Sequence, residues 1–121
     1  MAPRVLVVQA REALAYGTCR ALHAAGLETT LALDGDTAVR LAVTDPPEAV
    51  VCDLTEPVLD GWYVLAALGA RPVRPRIVAY GRLGDADRAA VLGADACVHD
   101  RNRIAAAVAR VTGPGAFQIS R

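Results

Sequence analysis

The 121-residue chain contains no lysine; all 13 of its basic residues are arginine. This excludes chemistry that needs a lysine: a Schiff-base amine, a phosphate-loop lysine or a lysine general base. Arginine cannot take those roles, because it stays protonated in proteins. No charge excess exists either, since 13 acidic residues balance the arginines. A nucleic-acid footprint needs a basic excess, so direct nucleic-acid binding is not expected. Aromatic residues are scarce, at 4%, so the core must be built from Ala, Val and Leu packed closely. Cysteine is limited to Cys19, Cys52 and Cys97, an odd and widely spaced set that implies neither a disulfide framework nor a zinc knuckle. They read as reduced, mostly buried small residues of a cytoplasmic protein. No apolar run reaches the roughly 18 residues of a membrane span, and no separate signal peptide precedes the first strand-like run.

What is present is a hydrophobic content of 54%, enough for one ordered domain of this length. Val5-Leu6-Val7-Val8 reads as a strand buried on both faces. A helical stretch follows over about Glu12–Ala25, with Leu14, Thr18, Ala21, Leu22 and Ala25 on one face and Gly26 as its stop. Leu27–Leu33 reads as a second strand, Asp34 as the cap of a helix over Thr37–Val43, and Ala49–Cys52 as a third strand ending at Asp53. Trp62–Leu68 is the third helix, Ile77–Tyr80 the fourth strand and Asp85–Leu92 a helix closed by Gly93. Ala96–His99 is the fifth strand, and Ile104–Val111 the last helix. Residues 1–112 form the expected domain, and 113–121 a linker or tail.

Strict β-α alternation predicts an α/β fold: a five-stranded parallel sheet, doubly wound, with helices on both faces. In such folds ligands sit outside the carboxyl ends of the strands. The residues there are Gln9, Ala10, Asp53, Tyr80, Gly81 and Asp100.

The run Asp53-Leu54-Thr55-Glu56-Pro57-Val58-Leu59-Asp60-Gly61 resembles the phosphoacceptor strand end and following loop of bacterial response-regulator receiver domains. Asp34-Gly35 and Gly93-Ala94-Asp95 agree in order and spacing. The resemblance covers about residues 4–111 and implies a flavodoxin-like receiver fold with Asp53 at the phosphoacceptor position. It also implies two acids after the first strand that help to hold magnesium; here they are Gln9 and Ala10. The family's hydroxyl after the fourth strand is Tyr80, and the small residue beside it is Gly81. The family's lysine after the fifth strand is Asp100, and its aromatic switch residue within that strand is Cys97. Of the phosphorylation constellation, Asp53 stands, with the carbonyl of Thr55 available.

These departures remove charge from the pocket. Magnesium takes oxygen ligands, typically one or two carboxylates with waters and phosphate. One carboxylate remains, and Asp100 reverses the sign of the lysine position, so attraction for a phosphoryl group becomes repulsion. The expectation is therefore an atypical receiver without cofactor or metal, not an enzyme, with Asp53 held by the Gln9 amide, by backbone N–H groups, or by Arg11 or Arg82. Tyr80 and Cys97 would have exchanged bulk, removing or fixing the family's aromatic switch. Trp62 would anchor the loop that precedes it.

The resemblance further implies action by binding, as a homodimer through the fourth helix, fifth strand and fifth helix. Asp85, Asp87, Arg88, Arg101, Arg103 and Arg110 are the interface candidates there, alternating in sign as suits a two-fold contact. An effector domain or partner protein would complete the signalling unit. The segment Gly113–Ile119 resembles a linker into a further domain, so the chain is expected to regulate transcription. Two alternatives stand beside this reading. One is a competent phosphoacceptor using Asp53 with weak or no magnesium dependence; the other is a flavodoxin-like domain holding a small ligand.

Overall fold

The computed structural model describes residues 2–113; the tail expected to be a linker lies otherwise outside the described residues. Five strands alternate with five helices: β1 (Arg4–Val8), α1 (Glu12–Ala24), β2 (Glu28–Ala32), α2 (Gly35–Thr44), β3 (Ala49–Asp53), α3 (Gly61–Gly69), β4 (Arg76–Tyr80), α4 (Ala86–Val91), β5 (Ala96–Val98) and α5 (Ile104–Thr112). A 3-10 turn over Arg101–Arg103, not expected from the sequence, leads into α5. All strand pairs are parallel, in the order β2-β1-β3-β4-β5. The winding reverses between β1 and β3, and the crevice at that reversal is where doubly wound folds place a site.

The central strands are buried because both of their faces are covered. Leu6, Val8, Val50, Cys52, Ile77 and Ala79 face one cluster with Ala38 and Ala42 of α2, Val64, Leu65 and Leu68 of α3, and Ala89 of α4. Val5, Val7, Ala49, Val51 and Val78 face the other with Leu22 of α1 and Ile104, Ala107 and Val108 of α5. The pleat's period of two sorts each strand between these clusters. The edge strand β2 alternates exposed and half-buried residues up to the buried Ala32, and β5 is half-buried throughout.

The helix ends follow local chemistry. Asp34 caps α2 by accepting from the Thr37 N–H at 2.8 Å and the Thr37 hydroxyl at 2.9 Å. These bonds, the backbone one first, hold its carboxyl below the usual range. Gly26 and Gly93 stop α1 and α4 with φ of 85° and 115°, where a side chain would be strained.

The buried face of α1 differs from the expected one. Ala15, Thr18 and Leu22 are buried, whereas Ala21 and Ala25 are exposed. Alanine at so many positions of this helix leaves the hydrophobic period poorly defined, so the face is set by Leu22 and the packing of its neighbours.

Candidate functional site

The site lies at the carboxyl ends of β1, β3 and β4, and its centre is Asp53, only 1% exposed at the end of β3. The loop after β3 wraps back on it. Asp53 Oδ1 accepts from the Thr55 N–H at 2.8 Å and from the Thr55 hydroxyl at 2.7 Å. Hydrogen bonds to a carboxylate are strong, and two of them fix this side chain's rotamer. The loop ends in Asp60, which has a left-handed backbone with φ 53° and caps α3 at the Tyr63 N–H, 3.3 Å away. Asp tolerates this region better than most residues. Gly61 follows because its backbone lies against that of Asp53: a Cβ there would stand 2.0 Å from the Asp53 carbonyl oxygen. The Cys52 thiol donates to the Gly61 carbonyl at 3.2 Å. Burial, and then the neighbouring Asp53, push that thiol up to about 12.

Gln9 and Ala10 follow β1, next to β3 in the sheet. Gln9 is fully buried, and neither amide atom has a hydrogen-bond partner. The expected bond from Gln9 to Asp53 is therefore not made. Ala10 is half-buried and packs against the α2–α4 cluster.

The arginines bind the loop rather than the acid. Arg11 Nε pairs with Glu56 Oε2 at 3.0 Å, and Arg82 Nη2 donates to the Thr55 carbonyl at 3.1 Å. Neither takes the expected place on Asp53, and the Thr55 carbonyl is engaged rather than available. Arg82 reaches it because the turn after β4 is tightly built. The Arg82 N–H donates to Asp85 Oδ2 at 2.8 Å, and the Gly81 N–H to the Val98 carbonyl at 3.0 Å. His99 Nδ1 lies 3.2 Å from the Gly81 carbonyl. Gly81 sits in a tight space: a Cβ would lie 3.1 Å from Asp85 Oδ2 and 3.4 Å from Cys97 Sγ.

Tyr80 and Cys97 do not exchange bulk. Tyr80 pairs with Val98 and packs on the α1/α5 side, whereas Cys97 pairs with Ala79 and packs on the α2–α4 side. They stand on opposite faces of the sheet and cannot occupy each other's space. Burial raises the Cys97 thiol, with Asp85 adding to the shift.

Asp100 is exposed and caps the 3-10 turn, accepting from the Asn102 N–H at 2.9 Å. One of its carboxylate oxygens is thus engaged by its own turn. Among the described residues no group of three metal-ligating side chains forms.

The remaining candidates separate. Trp62 is half-buried as expected, and the Arg88 guanidinium covers its ring at 4.1 Å from the centroid. Arg88 is thus tied to α3, a contact that sequence spacing did not reveal. Asp85 is tied to its own turn, and Asp87 is exposed. Arg101 is exposed at the 3-10 turn, between α1 and α5. Arg103 and Arg110 line a groove of about 590 Å³ with Cys97, Val98, Ala106 and Ala107. Arg74 and Arg76 pair with Asp95 at 3.3 and 3.7 Å. His23 has a partner too, Thr29 Oγ1 at 2.8 Å.

No family model matches the chain. Its fold superposes on a response-regulator signal receiver domain from Bermanella marisrubri with a TM-score of 0.81 and 26% identity, covering 93% of this chain and all of that one. The receiver domain of a Pseudomonas aeruginosa sensor histidine kinase, which holds magnesium in its active-site cleft, superposes at 0.76 with 24% identity, covering 91% of this chain and 97% of that one. By sequence, the transcriptional regulatory protein PrrA of Mycobacterium bovis is 43% identical over 68 residues, 56% of this chain. That match spans 29% of PrrA, so the chain corresponds to less than a third of it.

Proposed function

We propose that this chain, a receiver domain of the response-regulator kind, is a signalling module that works by protein association, without a phosphoryl group or a metal at Asp53. The carrying observation is the state of Asp53. Its Oδ1 is bound by Thr55, and the residues after β1 that would supply further carboxylates are Gln9 and Ala10. Magnesium fits this set poorly: one carboxylate remains, the Thr55 carbonyl is bound by Arg82, and a neutral amide replaces an acid. Phosphoryl transfer is mostly charge neutralisation and positioning, and the two cations at the strand ends, Arg11 and Arg82, are engaged by Glu56 and the Thr55 carbonyl rather than by Asp53.

The association surface is the face made by α4, β5 and α5. It offers the edge strand β5, the apolar Val91 at 84% exposure, and the groove holding Arg103 and Arg110. Asp87 on α4 supplies the opposite sign, which suits a two-fold contact between copies. A stable contact of this kind covers roughly 800 Å² per partner. The likeness to a transcriptional regulatory protein supports a regulatory role beside an effector domain, in the cytoplasm. The balanced charge supports leaving nucleic-acid contact to that effector.

Light scattering across a concentration series tests the reading. The expected result is a monomer–dimer equilibrium unmoved by magnesium with acetyl phosphate and weakened by Arg110→Glu. A dimer that forms only with the phosphodonor would overturn it, and would favour the alternative in which Asp53 is a working phosphoacceptor.

A further inference from the structure

The two straps across the loop after β3 have different reach. Arg11 binds a side chain, that of Glu56, which is 20% exposed. Arg82 binds a backbone carbonyl, that of Thr55, whose own N–H and hydroxyl hold Asp53. Its guanidinium is therefore one residue removed from the buried carboxylate, on the same oxygen that a divalent ion would have to share with Asp53. A metal coordinated by that oxygen would stand beside the Arg82 guanidinium, a positive charge on the same acceptor. Gln9, buried with both amide atoms unpartnered, offers a metal no compensating charge.

We propose that Arg82 is the built-in cation of this site: its guanidinium takes the carbonyl that a divalent metal would need and latches the loop after β4 onto the loop after β3. The inference rests on the reading of the site as metal-free, and it assigns the cause of that state to one residue. Loss of the acids lowers metal affinity; the latch lowers it further, even where an acid is restored. Arginine suits this role, because its planar fork stays charged and gives directed donors to carbonyl oxygens. The Arg82 N–H bond to Asp85 and the Gly81 bond to β5 hold the latch at its base.

Ala10 is half-buried and next to the rim, so it accepts an acid more readily than the buried Gln9. The experiment compares magnesium binding by Ala10→Asp with that by Ala10→Asp/Arg82→Ala, using calorimetry and amide chemical shifts on the full chain. The expected result is affinity at least about tenfold tighter in the double variant, a change of one repulsive contact in size. Equal affinity, including no detectable binding by either, overturns the latch. A second measurement does not depend on the added acid. In Arg82→Ala alone, hydrogen exchange at Thr55 and its neighbours is expected to quicken about tenfold, while β1 and α1 stay unchanged. Unaltered exchange there also overturns it. Arg82→Lys should fall between wild type and Ala in both assays. Failure of the metal-free reading would be seen separately, as phosphorylation of the wild-type chain; the latch stands or falls on the Arg82 comparison.

Discussion

Two sides of one pocket have been treated differently. On the β3 side, every residue that shapes the backbone is in place: Asp60 with its left-handed cap, Gly61 against the Asp53 carbonyl, and the Cys52 thiol on the Gly61 carbonyl. On the β1 and β5 sides, the strand ends carry Gln9, Ala10 and Asp100. Gln9 is buried without partners, and Asp100 caps its own turn. The backbone devices are needed for the fold whether or not chemistry happens there. The charges are needed only for phosphate and metal, and they add repulsion when neither is bound. The difference teaches that the backbone devices of the loop after β3 and the charges around it are set by different residues.

The largest test falls on the structural side. Gly61→Ala places a Cβ 2.0 Å from the Asp53 carbonyl oxygen, so the backbone must move. A loss of about 3 kcal/mol is expected in urea denaturation, at the upper end for overpacking. A loss below about 1 kcal/mol would mean the loop has slack, and the contrast between the two sides would weaken.

On the other side the sign reverses. Gln9→Leu removes two buried, unpartnered polar atoms while keeping volume, so stability should rise by about 1–2 kcal/mol. A fall of that size would show that the amide has found partners and that the β1 side is built as carefully as the β3 side.

A smaller effect concerns the join between α3 and α4. Arg88→Ala removes the cation above Trp62 and should cost about 0.5–1 kcal/mol, with a shift in the emission of the single tryptophan. Unchanged emission would place Arg88 in solvent.

The smallest is read as an order of reaction. Burial holds the Cys52 thiol at about 12 against an ordinary 9.0. The unfolded thiol ionises first as pH rises, so Cys52 supports folding below pH 9.0 and ceases to do so as pH climbs towards about 12. In native protein at pH 8 to 9, alkylation should therefore reach Cys52 after the half-buried Cys19 and Cys97. Early labelling of Cys52 would mean that the β3–α3 junction opens readily.

Much of the fold was legible because its signals are local. Short β-branched runs marked β1, β3 and β4, Asp34 marked a cap, and Gly26 and Gly93 marked helix ends. The buried face of α1 was not legible, since alanine fits either side of a helix. For the site, the strand-end positions could be named, but the partners could not. Whether Arg82 reaches Asp53 or the Thr55 carbonyl depends on the turn from Gly81 to Asp85, a matter of tertiary geometry. The placement of Tyr80 and Cys97 was within reach: strand alternation and the register of β4 with β5 put them on opposite faces. The free energy stored in the unpartnered Gln9 amide leaves no trace in sequence at all.

The central claim, a receiver shape without receiver chemistry, is tested most directly by intact mass. The wild-type chain and Asp53→Ala are incubated with acetyl phosphate and magnesium and weighed side by side. The expected result is that neither gains mass. A gain of one phosphoryl group in the wild type, absent from Asp53→Ala, would contradict it.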